Sequence, residues 1–581
     1  LLKYNVKDCT ILRKMERFTG YAHLDFTFSK IGNCFANDYH ISTKIDGLMV
    51  RKGLVDGQHF PTVFKDREEA EAEARGDGPA HEGGYVHEPV RGVHETVCAF
   101  DFKSLYPSMI TTFNLSPDTF VAPEERHLHA PEDLITTVVG TTFLRPRRLP
   151  DGEDGKPRWD RVGFIPQMFV ETLERRKTYT KLQETVEVGS DMFLHYYRLA
   201  YSYKRLGLSF YGELGNPRSR FYNPDCGRSV TLSGQHYIKE TMREAEVLGF
   251  RPLYGDTDSM YVQMDPGAAP GFLAHVHAMY LTWLAAWNAP RERTTVELEF
   301  EDVYGRIVLI NKKRYFGRLV YHKGQSANHL EIKGLETMRS DGVEMGRELQ
   351  TAVMKAIAFE DAGAAEVLDI VRESRGRVLE RKVTLEELTC VAGLTKDPSK
   401  YKPCPPHARV ALGMKKRGIE WYVGMKVPFV WVRGTYIPRP DPEPDLSFAE
   451  NVRRHMEWEK AEAASARRHK KPPDPEPVWT EDYNADERPY DAEYYWSSKV
   501  YPPSLRILEV AFPDVDWIGL SGEEAGKRDR RLTAYRKALL DPSKRDAASA
   551  KLAADRTLTS AQRSEIAKFY ITSVLGGKVG G

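Results

Sequence analysis

The chain has no two cysteines close enough to form a Cys-x-x-Cys pair: its six cysteines stand at 9, 34, 98, 226, 390 and 404. That spacing argues against a zinc module and offers no disulfide framework. No apolar run approaches the roughly 20 residues of a membrane span. The first residues form no apolar leader, so an intracellular, cytoplasmic protein is expected, in the host cytoplasm if the source is viral. No internal repeat is apparent. A surplus of one charge is also missing, with 84 basic against 83 acidic residues.

Charge balance does not exclude a nucleic-acid partner, because binding follows local potential. Residues 401–440 carry Lys402, Arg409, Lys415, Lys416, Arg417, Lys426, Arg433 and Arg439 against Glu420 alone. Such a stretch can neutralise several phosphates without reading bases. The 581 residues suggest about four domains, and 41% hydrophobic residues leave material for real cores. Three stretches read as insertions or loops: a Glu/Ala/Gly-rich one at 65–84, a hairpin tip at 146–160, and a charged, Pro-rich one at 438–490 with a helical segment near 449–470.

Two acidic stretches carry chemistry. The apolar run Val97-Cys98-Ala99-Phe100 reads as a buried strand, which puts Asp101 at its end. Tyr254-Gly255-Asp256-Thr257-Asp258-Ser259 reads as a hairpin presenting two carboxylates. Either stretch alone fits a helix cap or an ordinary turn equally well. Placed side by side, they would form a site of hard oxygen ligands suited to two Mg ions, with Mn as a substitute.

In this order the two stretches resemble the first and third polymerase motifs of the B-family DNA polymerases. Between them Lys204-Arg205-Leu206-Gly207-Leu208-Ser209-Phe210-Tyr211-Gly212 is similar to the second motif, with Leu208 where the family has Asn. The resemblance implies an α+β multidomain fold with an antiparallel-sheet palm and helical fingers and thumb. Boundaries are expected at 1–20 for an exonuclease remnant, 21–162 and 223–341 for the palm, 163–222 for the fingers and 342–581 for the thumb. It implies a template-directed DNA polymerase acting on primer-template DNA and dNTPs, with Asp101 and Asp258 as metal ligands, Phe102 lending a carbonyl, and Asp256 supporting. Ser104, Leu105, Tyr106, Arg176, Lys181, Lys204, Leu208 and Tyr211 are the expected nucleotide contacts, and the Tyr106 ring would exclude a ribose 2′-hydroxyl. Glu299 and Glu301 are accessory carboxylates by position. Gly83, Gly84, Lys312, Lys313, Arg314, Tyr315, Lys333 and Arg339 match segments that track DNA.

Tyr4 and Asp8 resemble the last motif of the family's proofreading exonuclease, whose earlier motifs are not in these residues. Synthesis without self-contained proofreading is therefore expected, with an exonuclease-bearing partner chain docking on residues 1 to about 100 if the enzyme is split. Ile566, Phe569 and Tyr570 have the spacing of a sliding-clamp peptide and fit an amphipathic helix equally well. A phage source is expected from a mixture of motifs: Gly215-Asn216 and Arg220-Phe221-Tyr222 are similar to phage-type members, while Met414-Lys415-Lys416-Arg417-Gly418 and Tyr501-Pro502-Pro503-Ser504 resemble a delta-like thumb. The rival reading is a non-catalytic, DNA-binding replication scaffold, or a polymerase half inactive without its partner.

Overall fold

A computed structural model of the chain describes residues 2–35, 38, 40–60, 83–152, 155, 157–338, 342–435, 447–468 and 473–521. They fall into two compact units: Leu1–Pro89 with Thr96–Val303 and Tyr321–Ser326, and Val90–Glu95 with Tyr304–Val320 and Ala327–Gly581.

Unit one opens with three helices, α1 (Leu2–Thr19), α2 (Tyr21–Gly32) and α3 (Ile41–Val55). Strand β1 (Gly92–Phe102) follows and is fully buried over Val97–Phe100, as an apolar run without alternation requires. A short helix, α4 (Leu105–Thr112), leaves its end. Two long antiparallel helices come next, α5 (Phe164–Glu184) and α6 (Asp191–Gly215). Ser190 caps α6 by accepting from the Phe193 N–H at 3.1 Å. Helix α7 (Pro224–Val247) starts at a proline behind the cap Asn223, which accepts from Cys226 N–H at 2.9 Å.

Strands β2 (Arg251–Asp256) and β3 (Ser259–Gln263) form the hairpin expected from the sequence. β3 pairs antiparallel with β1, with Asp101 opposite Ser259. Helix α8 (Ala269–Ala286) and the start of β4 (Leu298–Asn311) complete the frame, so unit one holds the strand order β4-β1-β3-β2. α7 and α8 cover this sheet through rings: Phe100 meets Phe272 at 5.2 Å, and Phe102 lies 6.0 Å from Tyr280 and 6.3 Å from Tyr237. Residues Arg147–Leu149 and Arg158–Asp160 pair as a small hairpin.

Unit two contains the end of β4 with β5 (Arg314–His322) and β6 (Gln325–Lys333) in the order β6-β5-β4. Its core gathers Leu349, Val353 and Ile357 of α9 (Glu344–Phe359) with Tyr495, Trp496 and Tyr501, the last two rings stacked 5.0 Å apart. Residues Phe448–Arg468 are helical. Residues Glu476–Trp479 lie inside the stretch read as an insertion, yet they pair with Lys426–Val432 as the outer strand of a three-stranded sheet. Tyr490, also in that stretch, is buried and donates to the Val378 carbonyl at 2.8 Å. The proline-rich flank hid a strand that the partner strand stabilises.

Candidate active site

Asp101 ends β1, and its neighbour Phe102 donates its N–H to the Asp258 carbonyl at 2.7 Å. This bond fixes the β2–β3 turn against the strand end. Thr257 at the tip has φ 62, a left-handed conformation that is costly for a β-branched residue, and Asp258 N–H bonds back to the Asp256 carbonyl at 2.7 Å. Burial first, then the charges of Asp258 and Glu301, push the Asp101 carboxyl from 3.8 up to about 7. Asp256 is engaged differently. It accepts from the Tyr254 hydroxyl and from Thr257 Oγ1, each at 3.2 Å.

Glu299 and Glu301, on β4, are each paired with a lysine that the sequence reading did not single out. Lys103 Nζ lies 2.7 Å from Glu299 and 3.3 Å from Glu297, and Lys323 Nζ lies 2.7 Å from Glu301. Lys103 stands two residues after Asp101 and could have been noticed. Lys323 is brought in only by the β5–β6 turn, where it has φ 44.

A cleft opens three residues past Asp101. It is lined by Ser104 and Pro107, by Phe169, Thr172, Leu173 and Arg176 of α5, and by Tyr203, Lys204, Gly207 and Leu208 of α6. Four expected nucleotide contacts, Ser104, Arg176, Lys204 and Leu208, therefore share one wall system. Tyr106 and Tyr211 meet ring to ring at 4.9 Å. Burial, then Tyr211 and Asp258, push the Tyr106 phenol up to about 12. Leu208 is 50% exposed and joins Pro107, Phe169 and Leu173 in the apolar lining beside the two cations Arg176 and Lys204. Leu105 points into the core at 2% exposure, so only its backbone is available to a ligand.

A family model described as DNA polymerase family B matches residues 39–511. The chain belongs to this family. Its relatives include DNA polymerase 1 of Pyrococcus abyssi, 28% identical over 496 residues, which covers 85% of this chain and 54% of that protein. The DNA polymerase of Archaeoglobus fulgidus is 32% identical over 359 residues, covering 61% and 41%. The DNA polymerase of Thermococcus gorgonarius is 30% identical over 425 residues, covering 73% and 49%. A solved structure, the family B DNA polymerase of Pyrobaculum calidifontis, shares the fold with a TM-score of 0.55 at 24% identity, covering 84% of this chain and 54% of its own. The chain thus spans about half the length of the curated relatives it matches. These relatives are archaeal, which leaves the expected phage source without support.

In this family B chain, Lys181 is exposed and does not line the cleft that holds Arg176. Five residues along a helix turn a side chain by about 140°, away from the Arg176 face. Gly84 packs against the Asp256–Asp258 turn: a Cβ on it would fall 2.6 Å from Thr257 Oγ1 and 2.9 Å from the Tyr106 hydroxyl. Around Gly83 the same construction meets nothing within 4 Å.

Within unit two, Lys312 and Lys313 are exposed at the β4–β5 turn, whereas Tyr315 is buried. Gly334, with φ +66, comes so close to this turn that a Cβ would stand 2.0 Å from the Lys313 carbonyl oxygen. The two basic motifs are therefore one local structure, with Lys333 exposed beside them. Arg314 is held by Glu336 at 3.8 Å. Tyr4 and Asp8 lie on α1. Arg339, Ile566, Phe569 and Tyr570 lie outside the described residues.

Among the described residues no three His, Cys, Asp or Glu side chains close a ready-made metal cage. A Mg site does not need one, since this ion keeps several waters and takes one or two carboxylates plus substrate phosphates. The Asp101 and Asp258 carboxylates fit that donor set. No described helix is long and apolar enough to cross a membrane.

Proposed function

We propose that the chain is a template-directed DNA polymerase that adds dNMPs to a primer 3′-hydroxyl by phosphoryl transfer in DNA replication. The observation that carries this reading is the cleft joining Ser104, Arg176 and Lys204, three residues from the strand end where Asp101 and the Asp258 turn meet. Asp101, Asp258 and the Phe102 carbonyl would hold the divalent ions that family B polymerases generally use. Mg, or Mn in its place, would supply Lewis acidity to the attacking hydroxyl and to the leaving pyrophosphate.

The remaining work falls to this chain's own groups. Arg176 grips a phosphate with its planar fork, and Lys204 adds a compact positive charge. Tyr106 packs under the sugar and leaves no room for a 2′-hydroxyl, while Tyr211 supports that ring from the side. Lys312, Lys313 and Lys333 hold the duplex backbone. We read residues 163–222, which contain α5 and α6, as the fingers and residues 342–581 as the thumb. Two further partners belong to the same proposal. If the enzyme is split, an exonuclease-bearing chain would dock on residues 1 to about 100, a span in which Ile11, Leu12 and Met15 of α1 are 45%, 65% and 56% exposed. A sliding clamp would engage Ile566, Phe569 and Tyr570.

Primer extension with each dNTP, comparing the chain with Asp258→Ala, tests the proposal. Extension that vanishes in the variant supports it, and equal extension by both overturns it. Excision of a mismatched terminus by these residues, lost on Asp8→Ala, would add proofreading to the activity.

A further inference from the structure

The segment after Gly83 is a strap laid along the catalytic hairpin. His87 N–H donates to the Gly255 carbonyl and Thr257 N–H donates to the Tyr85 carbonyl, both at 2.8 Å, so the strap runs antiparallel to the end of β2. The second bond satisfies the amide of the left-handed Thr257 at the tip. The strap is itself tied to α7. Gln235, a buried side chain, donates from Nε2 to the Gly83 carbonyl at 2.7 Å and accepts from Lys239 Nζ at 2.9 Å. Lys239 in turn places its ammonium 4.7 Å over the Tyr85 ring.

This bracket converges on Tyr106. One residue from Gln235, Gly234 runs under that ring: a Cβ there would lie 3.2 Å from Tyr106 Cε1. Gly84 in turn presses on the Tyr106 hydroxyl and Thr257 together. Two glycines and a strand tie therefore fix the height of the ring, and its flank rests on Tyr211. A side chain that discriminates by filling space works only if it cannot retreat, so the ring needs such a backing.

We propose that Gln235 and Gly84 are positioning residues for sugar selection, acting through the Gly83–His87 strap on Tyr106 and the Asp258 turn. This deepens the reading of Tyr106 as a sugar gate and rests on it. It also separates the two neighbouring glycines, which the sequence alone gives one common role in holding DNA. Gly84 is sterically committed to the gate, whereas Gly83 has open space.

The test measures binding of a dNTP and of the matching rNTP to the chain on a primer-template whose primer ends in a dideoxynucleotide, so that no chemistry is required. Primer-template affinity is measured alongside. Gln235→Glu keeps size and the acceptor for Lys239 but removes the donor to Gly83. Gly84→Ala adds a methyl against Thr257 and Tyr106. Both should lower the dNTP-to-rNTP affinity ratio by roughly fivefold or more, the factor commonly carried by a lost buried hydrogen bond, with primer-template affinity kept within about twofold. Gly83→Ala should leave the ratio unchanged. An unaltered ratio in both variants, or equal loss of DNA affinity in Gly83→Ala and Gly84→Ala, overturns the inference. Tyr106→Ala keeps the two readings apart: if it fails to admit the ribonucleotide, the gate itself is refuted. If it admits the ribonucleotide while Gln235→Glu and Gly84→Ala do nothing, only the strap's role is refuted.

Discussion

Replacing Asp101 with asparagine should stabilise the metal-free protein while abolishing synthesis, and the stabilisation should depend on pH. The carboxyl is moved from 3.8 to about 7, first by burial and then by Asp258 and Glu301. At about 1.4 kcal/mol per tenfold change in proton affinity, ionising it in the fold costs about 4 kcal/mol. Asp101 is only partly buried, and solvent screening roughly halves that figure to about 2 kcal/mol. The folded-state pKa is raised, so the protonated group's contribution is fully present below pH 3.8 and is lost as pH climbs through about 7. Asparagine carries no charge at any pH and loses nothing. Thermal unfolding in EDTA should therefore show the variant melting roughly 4 °C above the parent at about pH 8, with the gap more than halved by about pH 5 and closed only near pH 3.8. Millimolar Mg should narrow the gap at the higher pH, because the parent alone keeps both carboxylates to bind it. A gap of equal size at both pH values, or a variant less stable at the higher one, would refute the argument that crowded charge is what Asp101 contributes to the fold.

Three further outcomes follow from the same geometry. Lys204→Ala and Arg176→Ala should each raise the KM for dNTP about tenfold or more, as expected for lost charge-assisted phosphate contacts, while Lys181→Ala stays within about twofold; steady-state extension kinetics decide. Leu208→Asn puts an amide donor on the cleft wall and should lower that KM, and an increase would show that the apolar face serves nucleotide binding as it stands. Gly334→Ala forces a methyl onto the Lys313 carbonyl at a left-handed backbone position, so primer-template affinity should fall with extension per bound complex retained. Unchanged affinity by fluorescence anisotropy would remove the β4–β5 turn from the duplex grip.

How much of this was legible in the sequence depends on the range of the contact involved. β1 and the β2–β3 hairpin announced themselves through apolar runs ending in turn residues, and with them Asp101 and Asp258. The α5 and α6 helices were legible too, and helix geometry already separates Lys181 from Arg176; the family's one-turn Arg–Lys pattern, met here by Lys177 and Lys181, drew Lys181 into the site. The Thr257 conformation was hidden because β-branched residues avoid positive φ, so nothing in its type announces it. Gln235 and Lys323 could not be read at all. Gln235 meets Gly83 across 152 residues of chain, and Lys323 meets Glu301 only once β4 and β5 have paired. The strand at Glu476–Trp479 lay behind a proline-rich flank that reads as loop until a partner strand is known.

The strap has one more effect, on how the molecule behaves toward its own kind. In unit one β2 is the outermost strand, and an uncovered strand of this sort invites pairing by any extended peptide. By occupying the Gly255 carbonyl and the Thr257 amide, Tyr85 and His87 close the end of that margin that borders the carboxylates. An added strand therefore finds no free carbonyl at Gly255 and no free amide at Thr257, next to the proposed metal ligands. The backbone bonds that steady the Asp256–Asp258 turn thus also close this end of the sheet edge to an added strand.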